Sequence, residues 1–598
     1  MPNWLLVTDD PNGRLAQLRF PDYYYRDKNF YGRQSPHRAI VGIETVSTDS
    51  AGIPQTLQVV WNQEFSTGFA EAGRRYVMHP RFIDYNTDRV IRWLFNLDRS
   101  SPQSLVAFLR SPSSPQRSLG AKVEKRAAAS IPALSLTPSQ IEAFRVLRHY
   151  ENTVVWGPPG TGKTHFVGAA VAALVAAHHA ERKPFRVLVT AFTHAAIENV
   201  LKSVARTLQT CFTTTNISVW KAGEWRGDKK PEPVTEVDPK FRNQILGQDQ
   251  VVIGATVYAC IKANPGEVFD LVVVDEASQV RLPEACIPLT LRQQEGRLLL
   301  AGDHQQLPPI IKGEWPDPVK DPAIHGSILT ALRMDQHAAL GLQLHENWRM
   351  NATLTSIAAE FIYGDQYRCA TDEVATQQLR WAAADGMSRF AKHCLDPQYP
   401  FVMVVLDGVD AGKENLLEAR LVARLTRALR NGMVTAAGTP YANDRDFFHG
   451  TGKDGPGVFI VSPHHVQIAA IRKAIARKGL TNPFVETVEK MQGQEAEAVL
   501  ISYGVSDPEF ALREAAFIYG RNRLNVAITR ARCKAILFLP RPLLEAPPGV
   551  LDVEEAVAGL AFMRQLYDLA AAKGDQEIFT GRNGVSVEVL RFRFSDQK

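Results

Sequence analysis

Gly157-Pro158-Pro159-Gly160-Thr161-Gly162-Lys163-Thr164 is the stretch on which the reading of this chain turns. A β-branched run, Thr153-Val154-Val155-Trp156, comes before it, and an apolar, alanine-rich segment begins near Phe166. The order is therefore strand, loop, helix, which is what a phosphate-binding P-loop requires. Its glycines let the backbone turn N–H groups toward phosphate oxygens, and the helix behind them adds the positive end of its dipole. Lys163 supplies a point charge for the β and γ phosphates of a nucleotide, and Thr164 a hydroxyl for Mg²⁺.

Downstream, apolar runs at residues 186–191, 251–256, 269–275 and 298–301 alternate with helical segments. Such alternation predicts a parallel sheet covered on both faces. Asp275-Glu276 ends one of these strands. A carboxylate pair there can cap a helix, but with a P-loop in the same sheet Asp275 is the expected Mg²⁺ ligand. Glu276 is then the group expected to orient and deprotonate an attacking water. Gln306, in the loop after residues 298–301, can bond the γ-phosphate and report its loss. Shortly before the P-loop, residues 136–144 read as a helix entry with Thr137 or Ser139 near the cap. The amide of Gln140 there offers both a donor and an acceptor for an adenine edge.

The 598 residues imply three or four domains, with 45% hydrophobic and 22% charged residues in an ordinary soluble balance. A net charge of +5 permits an anionic partner without demanding one. No apolar run approaches the roughly 20 residues of a membrane span, and the N-terminus lacks a signal pattern, so a cytoplasmic location and no membrane partner are expected. The six cysteines form no CxxC pair, and His178-His179 and His464-His465 are adjacent rather than spaced i, i+4; neither set indicates a metal site.

These residues together resemble the superfamily 1 helicases of the 1B branch. That branch includes the up-frameshift RNA helicase of nonsense-mediated decay, its DNA-acting relatives and bacterial helicase-nucleases. The resemblance rests on Gln140, the P-loop, Asp275-Glu276-Ala277-Ser278-Gln279 and Gly302-Asp303-His304-Gln305-Gln306-Leu307, and it continues through Leu344-His345-Glu346-Asn347-Trp348-Arg349-Met350. The segments 458–467, Thr487-Val488-Glu489-Lys490-Met491-Gln492-Gly493-Gln494-Glu495 and 523–532 complete the set, in the family's order, across about residues 131–545. His465 stands where the family usually has Arg, and Glu489 replaces the commoner Asp. The span from Asn199 to Val251 is shorter than in eukaryotic relatives, so no extra inserted domain is expected there.

The resemblance implies an α/β fold of two tandem RecA-like domains, with ATP hydrolysed between them and single-stranded nucleic acid, DNA or RNA, carried across both, 5′ to 3′. It implies that Arg349 and Arg530 stabilise transition-state charge, that the Trp348 ring stacks on the base, and that Glu495 belongs with the nucleotide-binding residues. Thr193, Thr256, Ser462 and Thr487 fall in segments that contact the nucleic-acid backbone in the family. The expected domains are an N-terminal β-rich accessory domain (1–110), a Ser/Pro/Gly-rich linker (111–131), a first RecA-like domain (132–335), a second (336–545) and a tail (546–598), helical and then an edge strand. The cluster Tyr23-Tyr24-Tyr25-Arg26 with Lys28, Phe30, Tyr31 and Arg33 suits half-buried packing in a β domain better than stacking on unpaired bases. Residues 434–457, rich in Gly, Asp, Asn and Pro, read as a long loop. Two other functional classes fit the same residues: an ATP-dependent assembly factor, and a motor working with a nuclease partner, since no nuclease carboxylate cluster is evident in the chain.

Overall fold

The computed structural model describes residues 4–8, 38–49, 54–61, 72–73, 76–80, 87–100, 108–109, 112–212, 217–227, 230–309, 326–332, 341–382, 386–451, 454–581 and 584–594. The chain forms two compact units, residues 1–89 with 310–320 and residues 90–309 with 321–598. In the first, β1 (Trp4–Thr8), β2 (Arg38–Thr48), β3 (Pro54–Trp61) and β4 (Val77–Pro80) make an antiparallel sheet in the order β3-β2-β1-β4. The expected β-rich accessory domain therefore ends near residue 89, not 110, and Val90 and Phe108 are buried in a core of the second unit. The tyrosine-rich cluster at 23–33 lies outside the described residues.

Residues 111–131 are not a free linker. Val123 and Ala127, spaced i, i+4 among charged neighbours, bury one face of the helix Ala121–Ala129 in the core around the P-loop helix. Asn152 Nδ2 donates to the Ser113 carbonyl at 2.8 Å, and Arg117 pairs with Glu151 at 2.9 Å.

The first large sheet is wholly parallel. It contains β5 (Asn152–Trp156), β6 (Phe185–Ala191), β7 (Ser218–Ala222), β8 (Val234–Val237), β9 (Gln250–Gly254), β10 (Phe269–Asp275), β11 (Arg292–Gly302) and β12 (Gly341–Gln343), in the order β12-β5-β11-β10-β6-β9-β7-β8. The Val- and Leu-rich strands are buried on both faces, as continuous apolar runs require. Because β12 pairs with β5, the first domain reaches residue 343, beyond the expected 335. The helix Lys163–Ala180 is apolar on every side and almost entirely buried, which anchors the loop before it.

A short pair, β13 (Glu346–Asn347) and β14 (Arg368–Cys369), leads to the second large sheet. This sheet has β15 (Phe401–Asp407), β16 (Val458–Val461), β17 (Val485–Glu486), β18 (Ala496–Ser502), β19 (Ala531–Pro540), β20 (Asp575–Thr580) and β21 (Ser586–Phe592) in the order β17-β16-β18-β19-β15-β21-β20. Its first five strands are parallel, and the last two are antiparallel additions from the C-terminal residues. The described residues between 546 and 594 are therefore part of the second domain, and β21 is an inner strand, not the expected edge. Its Val589 and Leu590 are fully buried, on opposite faces. Residues 434–451 and 454–457 are folded too, since the short helix Asp444–His449 drives Phe447 and Phe448 completely into the core.

Phe401, Met403 and Val405 face a core that includes Leu307 of the first domain and the helix Glu554–Lys573. Val402, Val404 and Leu406 face another, beneath the helices Leu416–Gly432 and His465–Ala476. Glu418, in the first turn of the helix Leu416–Gly432, is wholly buried. One carboxyl oxygen accepts from the Ser502 hydroxyl at 2.7 Å and the Gly504 N–H at 3.1 Å, and the other has no partner among the described residues. Burial pushes its pKa from 4.5 up to about 8. The folded chain thus binds this proton more tightly than the unfolded chain does, and stability falls as pH rises through that window. Glu418→Gln, which keeps the acceptor, should flatten the fall and add on the order of 3 kcal/mol at the upper end, read by thermal melts across the window.

Candidate active site

Five loops that carry the predicted residues leave the C-terminal ends of neighbouring parallel strands, where open α/β sheets place ligands. The P-loop follows β5. Gly160 and Gly162 adopt φ of 73° and 69°, a region that side chains disfavour. A Cβ on Gly160 would also stand 2.2 Å from Oδ1 of Asn347, so the second domain's approach segment is pressed against the loop at this glycine. The Trp348 N–H donates to the Gly160 carbonyl at 2.8 Å, and the Tyr367 hydroxyl donates to the Pro159 carbonyl at 2.5 Å. No side chain caps the N-terminus of the helix Lys163–Ala180.

After β10, Asp275 is almost fully buried and Glu276 is partly open. Lys163 Nζ lies 3.1 Å from Glu276 Oε2 and 3.9 Å from Asp275 Oδ1. Burial works against the ammonium, but Glu276 and Asp275, with Asp303 behind them, outweigh it and hold the Lys163 pKa above the ordinary value. Burial likewise pushes the Asp275 carboxyl up, to about 6, with Lys163 opposing. Glu276 has φ of 50°, a left-handed conformation uncommon for a residue with a Cβ, and one found where a site holds a side chain under strain.

Asp303, after β11, is a hub to which sequence reasoning assigned no role. Its carboxylate accepts from Trp156 Nε1 at 2.8 Å, Gln306 Nε2 at 2.7 Å and the Tyr363 hydroxyl at 2.9 Å. Asn525 Nδ2 in turn donates to the Tyr363 hydroxyl at 2.7 Å and to the Gln305 carbonyl at 2.9 Å. Gln306 completes the crossing, with its Oε1 accepting from Arg530 Nη2 at 3.1 Å. Gln306 and Arg530 were expected in the site for different reasons, and here they meet directly across the two domains. Arg530 is 2% exposed, and burial and the nearby Arg349 guanidinium pull its pKa down to about 9, which leaves it a cation at neutral pH.

Arg349 is largely buried, with Nε donating to Glu495 at 2.7 Å and Nη1 to the Thr529 carbonyl at 3.0 Å. Glu495, expected among nucleotide-binding residues, is engaged by Arg349 and by Arg532 at 3.3 Å. Burial opposes its ionisation, and these arginines overcome it, holding the carboxyl below its usual range. Gln140 is also committed. Its Oε1 accepts from the Thr137 N–H in a capping box, and its Nε2 donates to the Thr161 carbonyl at 2.9 Å, which ties the helix Pro138–His149 to the P-loop. The Trp348 ring is half exposed beside the P-loop.

The four candidate strand contacts all follow strand ends: Thr193 after β6, Thr256 after β9, Ser462 after β16 and Thr487 after β17. Thr193 and Thr256 use their hydroxyls as helix caps, accepting from Ala196 and Ala259. Thr193 is exposed and Thr487 partly so, whereas Ser462 is completely buried, its hydroxyl without a hydrogen-bond partner among the described residues. Tyr363, Tyr367 and Asn525 join the site without a local signal; only their packing on Asp303 and Pro159 identifies them.

The residues fit a nucleotide with a divalent cation. A helix N-terminus without a side-chain cap, a cationic Lys163 and an Asp275 Oδ1 that accepts no hydrogen bond among the described residues, on a carboxyl raised by burial, are the donor set such a pair would take.

Two family models, each described as an AAA domain, match residues 140–312 and 327–539. Among curated proteins, the DNA replication ATP-dependent helicase/nuclease DNA2 of Mus musculus is 26% identical over 434 residues, 67% of this chain and 36% of that protein. The Homo sapiens protein of the same name is 27% identical over 447 residues, 69% and 37% of the two chains. That of Saccharomyces cerevisiae is 24% identical over 444 residues, 70% and 26%. The chain spans about a third of the length of the curated relatives it matches.

Proposed function

We propose that the chain is an ATP-hydrolysing enzyme of the superfamily 1 helicase type, a translocase on single-stranded nucleic acid that moves 5′ to 3′ by hydrolysing ATP between its two RecA-like domains. The observation that carries this reading is the Gln306–Arg530 bond, which joins the nucleotide side of one domain to an arginine of the other. A phosphate sensor touching a charge donor across the cleft is the contact a motor makes and breaks.

In this mechanism a nucleotide's phosphates compete with Glu276 for the Lys163 ammonium. Their success frees the Glu276 carboxylate to take a proton from water. Thr164 and Asp275 would hold Mg²⁺, which neutralises phosphate charge. Arg349 and Arg530 stabilise the charge that develops on the transferring phosphoryl group, and Gln306 follows its departure. Opening and closing of the cleft then step the strand past the loops carrying Thr193, Thr256 and Thr487, by largely sequence-independent contacts. Ser462 supports that track from inside the fold. Trp348, half exposed beside the P-loop, is the ring assigned to the base.

The names of the relatives speak of DNA replication and of a helicase joined to a nuclease, which supports DNA as the strand and favours a second reading in which this motor works with a nuclease partner. The same names support the DNA-acting relatives, over the RNA helicase, as the part of the branch that this chain resembles. Displacement of a labelled strand from duplexes with a 5′ or a 3′ single-stranded tail tests polarity. Unwinding of the 5′-tailed duplex alone is expected; preference for the 3′ tail would overturn the direction, and no unwinding with intact turnover would point to the assembly factor.

A further inference from the structure

Six exposed cations gather on the face of the second sheet turned away from Leu307 and the cleft. Arg420, Arg424 and Arg427 recur at i, i+4 and i+7 along the helix Leu416–Gly432, and Lys473, Arg477 and Lys478 lie at the end of the adjacent helix His465–Ala476. Among the described residues none of the six makes an ion pair, a side-chain hydrogen bond or a ring contact. Their helix neighbours Arg430 and Arg472 are paired, with Asp444 at 2.8 Å and Glu486 at 2.7 Å. The fold thus uses two of the eight cations and leaves six unbalanced, more than the net charge of +5 on the whole chain. Like charges held together on packed helices repel one another, and an anion bound there relieves that repulsion.

A groove of about 560 Å³ opens among them, lined by Arg424, Arg427, Asn431, Lys478 and Ser388, with no carboxylate among its described lining residues. Those described residues also include no aromatic ring, and so offer no platform on which unpaired bases could stack. Arginine forks and a lysine suit phosphate oxygens, and a surface that reads phosphates without bases suits a double helix, whose charge lies outside and whose bases are stacked within.

We propose that this groove binds the phosphate backbone of the duplex adjoining the single strand on which the motor moves. The proposal rests on the translocase reading and adds to it a second nucleic-acid contact.

The test compares the full chain with a triple variant, Arg420→Glu, Arg424→Glu and Arg427→Glu, and with the corresponding triple Gln variant, whose melting temperatures verify folding. Fluorescence anisotropy measures affinity for a single strand, for the same strand carrying a duplex arm, and for polyglutamate, across a range of salt. The native chain is expected to prefer the tailed duplex. In the Glu variant that preference falls by roughly tenfold or more, and the slope of log affinity against log salt becomes shallower by about 3. The Gln variant falls between, and turnover stimulated by the plain single strand is unchanged in both. Unaltered affinity for the tailed duplex in both variants overturns the proposal, as does a loss confined to polyglutamate, which would mark a surface for an acidic protein. Failure of the plain strand to stimulate the native chain instead counts against the translocase reading itself.

Discussion

Lys163→Ala is expected to lower ATP turnover by at least about 10³-fold, to the background of the assay. The side chain is the only cation within 4 Å of Asp275 and Glu276 among the described residues, and its ammonium is held charged by both. Alanine removes the charge that orients the phosphates and leaves two carboxylates facing each other with nothing between them. Glu276→Gln is the companion change. It keeps the size of the side chain but cannot accept a proton from water, so nucleotide should bind and remain trapped in a strand-bound complex. Phosphate release and retention of labelled nucleotide report the two effects, and normal turnover in both purified variants would remove the site from these residues.

The second large effect is expected at Arg530. Arg530→Ala should reduce kcat by about 10³- to 10⁵-fold while nucleotide affinity changes little, because the guanidinium acts on charge that appears during transfer. Arg530→Lys should recover little of this loss. The native side chain uses Nε, Nη1 and Nη2 in three directions, to the Val526 carbonyl, the Gln494 carbonyl and Gln306, and one ammonium cannot span that fork. Melting temperature separates catalysis from folding, since removal of a buried cation that bonds two carbonyls also disturbs the second domain. Loss of nucleotide affinity with kcat preserved would place Arg530 in binding instead.

What was legible in the sequence follows from how local the signals are. A P-loop, a carboxylate pair at the end of an apolar strand and a Gly-Asp loop each carry their chemistry in a few consecutive residues, and all lie at the C-terminal edge of one parallel sheet. The segments at 344–350 and 523–532 gave Arg349 and Arg530 only through family resemblance, because an arginine among arginines has no local mark. Asp303, Tyr363 and Asn525 were missed as a network because their bonds join residues far apart in the chain, beyond any periodicity. The left-handed Glu276 was equally hidden, since nothing but glycine announces that conformation in advance. Gln140 is expected at an adenine edge, but its amide serves the Thr137 cap and the Thr161 carbonyl, partners that geometry alone selects. The domain limits failed for a related reason. The strands β12 and β21 join sheets by pairing with β5 and β15, and short apolar runs do not say which strand they will pair with.

The central claim, that hydrolysis here is coupled to a strand, is tested most directly by ATP turnover of the purified protein alone, with oligo(dT) and with oligo(U), each at two salt concentrations, with Lys163→Ala as the blank. Turnover stimulated by the oligonucleotide, more by oligo(dT), and weakened at the higher salt is the predicted result. Turnover that neither polymer alters at either salt would contradict the account.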